Sequence, residues 1–315
     1  MNVATAPTAA LVVGGGFLGS HIARGLARDG VQTTVLTRTT PDARARGRLG
    51  ASRLLVGDAS HLHCVQEATA GVDCVVWCAG GLLPAESNQR PIDDVLAQLK
   101  PLLVMLDHLA HRKGTRIVLI SSGGTVYGDP SVLPVSEDYL PRPLTSHGVT
   151  RLAAEQYLGL YQQVFGVSAV ALRCGNVYGE GQRSDRSQGV VAATLSRIQR
   201  GLAIPMFGDG STVRDYVYID DVVDVVIKLL ARPNLPSVVN VGSGVGTSLS
   251  ELLALIEAVT GRPIDIEPHP ARPGDVAAVV LDITLLKSLL RFEPTPLREG
   301  LLRTWGSISG GEHGQ

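Results

Sequence analysis

Val12-Val13-Gly14-Gly15-Gly16-Phe17-Leu18-Gly19 is the stretch on which the reading of the fold turns. An apolar run, residues 9–13, leads into it, and residues 18–28 follow with apolar side chains at helical spacing. Gly14, Gly16 and Gly19 satisfy Gly-x-Gly-x-x-Gly between a strand and a helix. Glycine in those places lets the chain turn sharply and lets its backbone approach a pyrophosphate, whose charge the helix N-terminus stabilises. With Phe17 and Leu18 opening the helix, the stretch reads as a dinucleotide-binding turn. A tight turn that holds no ligand is the alternative.

Outward from this turn, short runs rich in β-branched residues alternate with longer helical patterns. Residues 33–36, 53–56, 74–78, 116–120 and 168–172 read as further buried strands, and 92–111 and 148–164 as helices. Strands alternating with helices pair in parallel and carry helices on both faces. The expected fold is α/β: a Rossmann-type doubly wound parallel sheet, with a smaller, discontinuous C-terminal α/β domain for substrate. Residues 1–174 are assigned to the dinucleotide-binding domain, which also receives about 215–241. Residues 175–315 form mainly the second domain, from about 175–214 and 242–308, with a helix at 190–200 and a short strand at 204–207. The tail 307–315 is expected to be disordered, and His61-x-His63 to be a solvated loop rather than a ligand pair.

At 315 residues there is ample chain for a large core. A net charge of −1, with 18% of residues charged, offers no basic footprint for a nucleic acid or an anionic membrane. Four cysteines are too few for a secreted disulfide scaffold. Cys74 and Cys78 stand about 13 Å apart on an extended strand. No Cys or His cluster has zinc spacing, so no metal is expected. With no signal-peptide pattern and no apolar run near about 18 residues, a cytoplasmic protein that does not enter a membrane is expected.

The end of the second strand bears on the cofactor. A carboxylate there would bind the ribose 2′-hydroxyl of NAD, but the chain reads Leu36-Thr37-Arg38, and Arg38 can pair with a 2′-phosphate. NADP(H) is therefore favoured, with NAD as the alternative. A solvated loop arginine is the alternative for Arg38, because Arg44, Arg46 and Arg48 crowd the same stretch.

Five further segments carry a resemblance. They are Ser121-Ser122-Gly123-Gly124-Thr125-Val126-Tyr127-Gly128, the run from Leu172-Arg173 through Asn176-Val177-Tyr178-Gly179 to Gln182, the run from Phe207-Gly208-Asp209-Gly210 through Arg214-Asp215-Tyr216 to Asp221, Asn240-Val241-Gly242-Ser243-Gly244, and Arg272-Pro273-Gly274-Asp275. Together with the glycine turn they resemble the extended short-chain dehydrogenase/reductase family, of the NAD-dependent epimerase/dehydratase type, along nearly the whole chain. The family pattern has another glycine at Val13. The resemblance implies a nucleotide-sugar substrate and a homodimer built on a bundle of the 92–111 and 148–164 helices. It implies that Asp58 and Ala59 lie beside the adenine, and that Cys78-Ala79-Gly80 and Ser121 lie along the cofactor. Asn176, Arg214 and Arg272 would hold the diphosphate, Phe207 the base and Asp275 a ribose hydroxyl; Asp220-Asp221 would cap a helix.

The catalytic centre departs from the family pattern. A Ser or Thr, a tyrosine and a lysine four residues later are expected; alignment places Gly123, His147 and Arg151 there. Residues at i and i+4 share a helix face, so His147 and Arg151 can still point into one pocket. A histidine titrating near 6.5 can exchange a proton at neutrality, and a neighbouring Arg⁺ keeps it neutral. Arg151 has donors for the ribose hydroxyls, and Ser122 or Thr125 is the candidate for the missing hydroxyl. The expected activity is nucleotide-sugar 4-epimerisation or ketosugar reduction with bound NAD(P). The alternatives are a catalytically silent NADP(H)- or nucleotide-sugar-binding module, or a dehydratase or proton-only epimerase.

Overall fold

The computed structural model describes residues 6–51, 53–112, 114–184, 189–271 and 275–309. The first part alternates strand and helix: β1 (Ala9–Val13), α1 (Phe17–Arg28), β2 (Gln32–Thr37), α2 (Ala43–Leu49), β3 (Arg53–Val56), α3 (Leu62–Ala68), β4 (Cys74–Trp77), α4 (Pro84–Ser87), α5 (Pro91–Ala110), β5 (Arg116–Ser122), α6 (Gly123–Val126), α7 (Ser146–Phe165) and β6 (Ser168–Cys174). Then come β7 (Asn176–Tyr178), α8 (Val190–Gln199), β8 (Ile204–Phe207), β9 (Val213–Tyr218), α9 (Ile219–Leu230) and β10 (Val238–Val241). The chain ends with β11 (Gly246–Ser248), α10 (Leu249–Thr260), β12 (Ile266–His269), β13 (Ala278–Val279), α11 (Thr284–Leu289) and α12 (Leu297–Ser309).

Seven strands form one parallel sheet in the order β10-β6-β5-β4-β1-β2-β3. Alternation along β1 divides its side chains between two cores. Ala10 and Val12 face α1 and α9, whereas Leu11 and Val13 face α3, α5 and α7. On the first face the helices nearly touch, since a Cβ at Gly25 would lie 2.4 Å from Val223 Cγ1. A smaller assembly of β11-β9-β13, with β7 beside β9, and the pair β12-β8 encloses a third core around Tyr178, Leu195, Tyr218 and Leu252. The return to the large sheet begins at Ile219, because β9 up to Tyr218 pairs within the small sheet.

Several local expectations are corrected. α7 starts at Ser146, earlier than 148, because the Thr145 hydroxyl accepts the Gly148 N–H and caps it. His61 and His63 open helix α3 with their rings stacked 5.7 Å apart, and do not form a loop. Residues 307–309 continue α12, where the Ser307 and Ser309 hydroxyls donate to the Thr304 and Trp305 carbonyls; the rest of that tail lies outside the described residues. Asp220 and Asp221 do not cap α9, whose N-cap is Tyr218. Asp221 instead accepts the Thr295 N–H and hydroxyl. The cysteines are free thiols, and no helix among the described residues is long and apolar enough to cross a membrane.

Candidate active site

A cavity of about 1380 Å³ opens beyond the carboxyl ends of β1, β2, β4, β5 and β6. The α1 N-terminus points into it with no side-chain cap on Gly16, which leaves its first N–H groups for a ligand. The three glycines have separate jobs. Gly14 adopts a φ of 101°, and a Cβ there would sit 2.9 Å from the Ala79 nitrogen. At Gly19 a Cβ would fall 1.8 Å from the Gly14 carbonyl oxygen, so only glycine lets α1 pack against the turn. A Cβ at Gly16, which lines the cavity, would meet nothing within 4 Å among the described residues. That cradle has the shape a pyrophosphate requires.

At one end of the cavity stand Thr37, Arg38, Asp58 and Ala59. Asp58 accepts the Ser60 N–H at 2.8 Å. That bond first, and the charge of Arg38 further down, hold its carboxyl below the usual range. No carboxylate ends β2. The middle of the wall is Cys78-Ala79-Gly80, with Ser121 and Ser122 behind. Ser121 lines the cavity, yet its hydroxyl donates to the buried Glu155, which in turn takes the Arg173 guanidinium at 2.7 Å. Its hydroxyl is thus committed to an internal ion pair.

His147 is buried in the first turn of α7, locked to α4 by its own N–H donating to the Ser87 hydroxyl at 3.0 Å. Its Nδ1 lies 3.0 Å from the Leu82 carbonyl. A carbonyl only accepts, so Nδ1 carries the proton and Nε2 keeps a lone pair. Burial first, and Arg151 second, hold its pKa at about 4. Sequence reasoning had named the arginine; burial is the larger cause. Arg151 donates to the Ile120 carbonyl at 2.9 Å, and its Nε has no partner among the described residues. Its Nη2 lies 3.1 Å from where a Gly80 Cβ would be, so glycine at 80 makes room for the guanidinium.

Gly123, aligned with the family's hydroxyl position, faces away: a Cβ there would press on Leu281 and the Arg173 carbonyl. A serine at 123 would therefore not present its oxygen to this cavity. Ser122, Gly124 and Thr125 line it instead, and the Thr125 hydroxyl is buried without a partner among the described residues.

Asn176, Arg214 and Asp275 line the far side. Burial lowers the pKa of Arg214, and Tyr216 and Asp275 oppose that shift. Phe207 does not line this cavity; its ring stacks on His269 at 4.9 Å. Arg272 lies outside the described residues. Sequence reasoning missed Asp94, Gln98, Leu82 and Tyr216. The first pair had a visible signal, being two polar residues at i and i+4 on the otherwise apolar stripe of α5 that continues through Leu102 and Met105.

The chain matches the model of the NAD dependent epimerase/dehydratase family across residues 10–242. A dTDP-4-dehydro-6-deoxy-D-allose reductase from a Streptomyces species is 30% identical over 311 residues, covering 92% of each chain. Among solved structures, the UDP-glucose 4-epimerase of Thermotoga maritima with UDP-glucose superposes with a TM-score of 0.90 at 30% identity, over 96% of this chain and 99% of that one. The Thermus thermophilus UDP-glucose 4-epimerase in complex with NAD gives 0.87 at 30% identity, with the same coverage. The glycine cradle, the seven-stranded parallel sheet and the shared architecture agree: this chain is an enzyme of the extended short-chain dehydrogenase/reductase type and belongs to the NAD dependent epimerase/dehydratase family.

Proposed function

We propose that the chain is a nucleotide-sugar 4-epimerase that oxidises a sugar hydroxyl and reduces it again, with His147 as the proton acceptor. The observation that carries this reading is the neutral His147 on the cavity wall, whose Nδ1 is held by the Leu82 carbonyl so that Nε2 is the nitrogen left to accept a proton. An imidazole that stays neutral near pH 7 is in the right state to take a proton from a hydroxyl and in the wrong state to supply one first. A nicotinamide, when bound, would accept and return the hydride. Gly14, Gly16, Phe17, Leu18 and Gly19 would hold its pyrophosphate, and Asp58 and Ala59 its adenosine. Arg151, with Cys78, Ala79 and Gly80, would hold the ribose next to the reacting carbon. As His147 gains a proton at Nε2, its Nδ1–H bond to Leu82 becomes charge-assisted and stabilises the imidazolium. Ser122 and Thr125 are the hydroxyls able to steady the developing alkoxide. Asn176 and Arg214 would neutralise the diphosphate of the sugar donor, together with Arg272, and Asp275 would take a ribose hydroxyl.

A second reading, an NADPH-linked ketosugar reductase, is favoured by Thr37-Arg38 at the adenosine end and by the likeness to the Streptomyces reductase. NADP(H) is accordingly the cofactor proposed, with NAD as the alternative. The assay is a panel of UDP-, dTDP-, GDP- and ADP-sugars with the purified protein. Epimerisation converts one sugar to another with no net change in nicotinamide absorbance, whereas reduction consumes NADPH mole for mole. Uridine or thymidine diphosphate should raise the melting temperature, and Arg214→Ala should remove that rise. A wild type inactive on every sugar, with turnover appearing in the His147→Tyr/Arg151→Lys double variant, would refute both readings in favour of a binding module. We further propose a homodimer through α5 and α7, which expose Ile92 (74%), Leu96 (53%) and Val164 (62%). A monomer in sedimentation at micromolar concentration would refute it.

A further inference from the structure

The apolar stripe of α5 packs Leu102, Met105, Leu106 and Leu109 into the core, and the same helix buries two polar side chains a turn or two earlier. Asp94 is fully buried and Gln98 nearly so. Asp94 Oδ1 accepts the Leu82 N–H at 3.1 Å and the Gln98 amide at 2.5 Å. Its Oδ2 and the Gln98 Oε1 have no partner among the described residues. A carboxylate taken wholly out of water destabilises a fold unless something compensates it.

The surroundings show what compensates. The loop after β4 lies directly over the pair: a Cβ at Gly81 would sit 2.7 Å from Asp94 Oδ1 and 2.3 Å from Gln98 Cγ. The preceding glycine, Gly80, covers Arg151. Leu82 is thus gripped at both ends, its N–H by Asp94 and its carbonyl by His147 Nδ1. The charged groups that bear on His147 are Arg151 on its own helix and Asp94 on α5, acting in opposite senses.

We propose that Asp94 is a positioning residue of this centre. It pins Leu82 so that the Leu82 carbonyl fixes the His147 tautomer with Nε2 toward the cavity, and its charge offsets Arg151 when the imidazole is protonated. The functional half of this inference rests on His147 being the proton acceptor; the tautomer half stands without it.

The test uses full-length protein labelled with ¹⁵N at histidine, as wild type, Asp94→Asn and Asp94→Ala. Asparagine keeps an acceptor for the Leu82 N–H and removes the charge. The imidazole nitrogen shifts of His147 should then report the Nδ1–H tautomer unchanged, with protonation moved to lower pH than in the wild type. Turnover should fall at least about tenfold with KM for the nucleotide sugar unchanged, since substrate binding is not what Asp94 serves. Alanine removes the acceptor too, and His147 should become a mixture of tautomers. The proposal is overturned if the variants lose only thermal stability while tautomer, titration and turnover stay as in the wild type. Should the alanine variant not fold, an unchanged titration and kcat in Asp94→Asn overturn it alone. If His147→Gln turns over sugars as fast as wild type, the proposed function fails, and the nitrogen shifts still decide the role of Asp94.

Discussion

Replacing His147 by glutamine tests the electrostatics of the centre without any substrate. Imidazole titrates at 6.5 in an unfolded chain and at about 4 in this fold, with burial the first cause and Arg151 the second. The unfolded chain therefore takes up a proton before the folded one does. Above pH 6.5 both states are neutral and the full stability is present; it is lost as the pH falls from 6.5 toward 4, below which both states are charged. At about 1.36 kcal/mol per pH unit the whole interval is worth about 3 kcal/mol, and about 2 kcal/mol is gone by pH 5. Glutamine can still donate to the Leu82 carbonyl and does not titrate. Urea unfolding of wild type and His147→Gln at pH 7.5 and pH 5 isolates the contribution, because His21, His108 and the carboxylates act alike in both proteins. The wild type should lose about 2 kcal/mol more than the variant on going to pH 5. Parallel losses would show that His147 is not held neutral, and the argument for it as a waiting base would fall with that result. In turnover, the acid limb should lie near pH 4 and disappear in the variant, whose rate drops about 10²–10⁴-fold.

Other substitutions follow from the same geometry. Glu155→Met leaves Arg173 buried without its counter-charge and should cost about 3–5 kcal/mol in denaturant unfolding, far more than an exposed pair such as Arg53–Glu67. Gly16→Ala should melt like the wild type yet lose dinucleotide affinity by isothermal titration, whereas Gly19→Ala should lower the melting temperature itself, because its Cβ collides with the Gly14 carbonyl. Arg38→Asp should reverse a preference for NADPH over NADH, at about 1.5–3 kcal/mol for the lost charge-assisted contact; equal affinities in the wild type would remove the case for a 2′-phosphate reader.

The parts of the fold that were legible in the sequence are those whose pattern is local. Strand β1, the glycine turn and α1 could be read because apolar period and glycine spacing sit side by side within twenty residues of chain. The start of α7 was misplaced by two residues because its cap, Thr145, precedes the periodic pattern and acts through one hydrogen bond. The surroundings of Phe207 and Gly123 were not legible for a different reason. Motif alignment fixes a position along the chain, while what packs around it is set by residues distant in sequence: the Phe207 ring stacks on His269, and a Cβ at Gly123 would meet Leu281. Asp94 escaped because a polar pair in an apolar stripe reads as an interruption until Leu82, 12 residues away in the loop after β4, and Arg151, 57 residues away on α7, are brought beside it.

The strand order has a consequence for the chain as it is made. β6 has β5 on one side and β10 on the other, and β10 lies more than sixty residues further along. Until residues 238–241 have left the ribosome, the edge formed by Ala171, Leu172, Arg173 and Cys174 has no neighbour, and until residues 219–230 have done so the core side chains Ile22 and Leu26 of α1 lack the cover of α9. An unpaired strand edge is a template for pairing with another chain. The first 174 residues, although they carry the whole glycine cradle and the proposed proton acceptor, are thus not a unit that can be cut out: a fragment ending there should precipitate, and synthesis should call on a chaperone until the seventh strand closes the sheet.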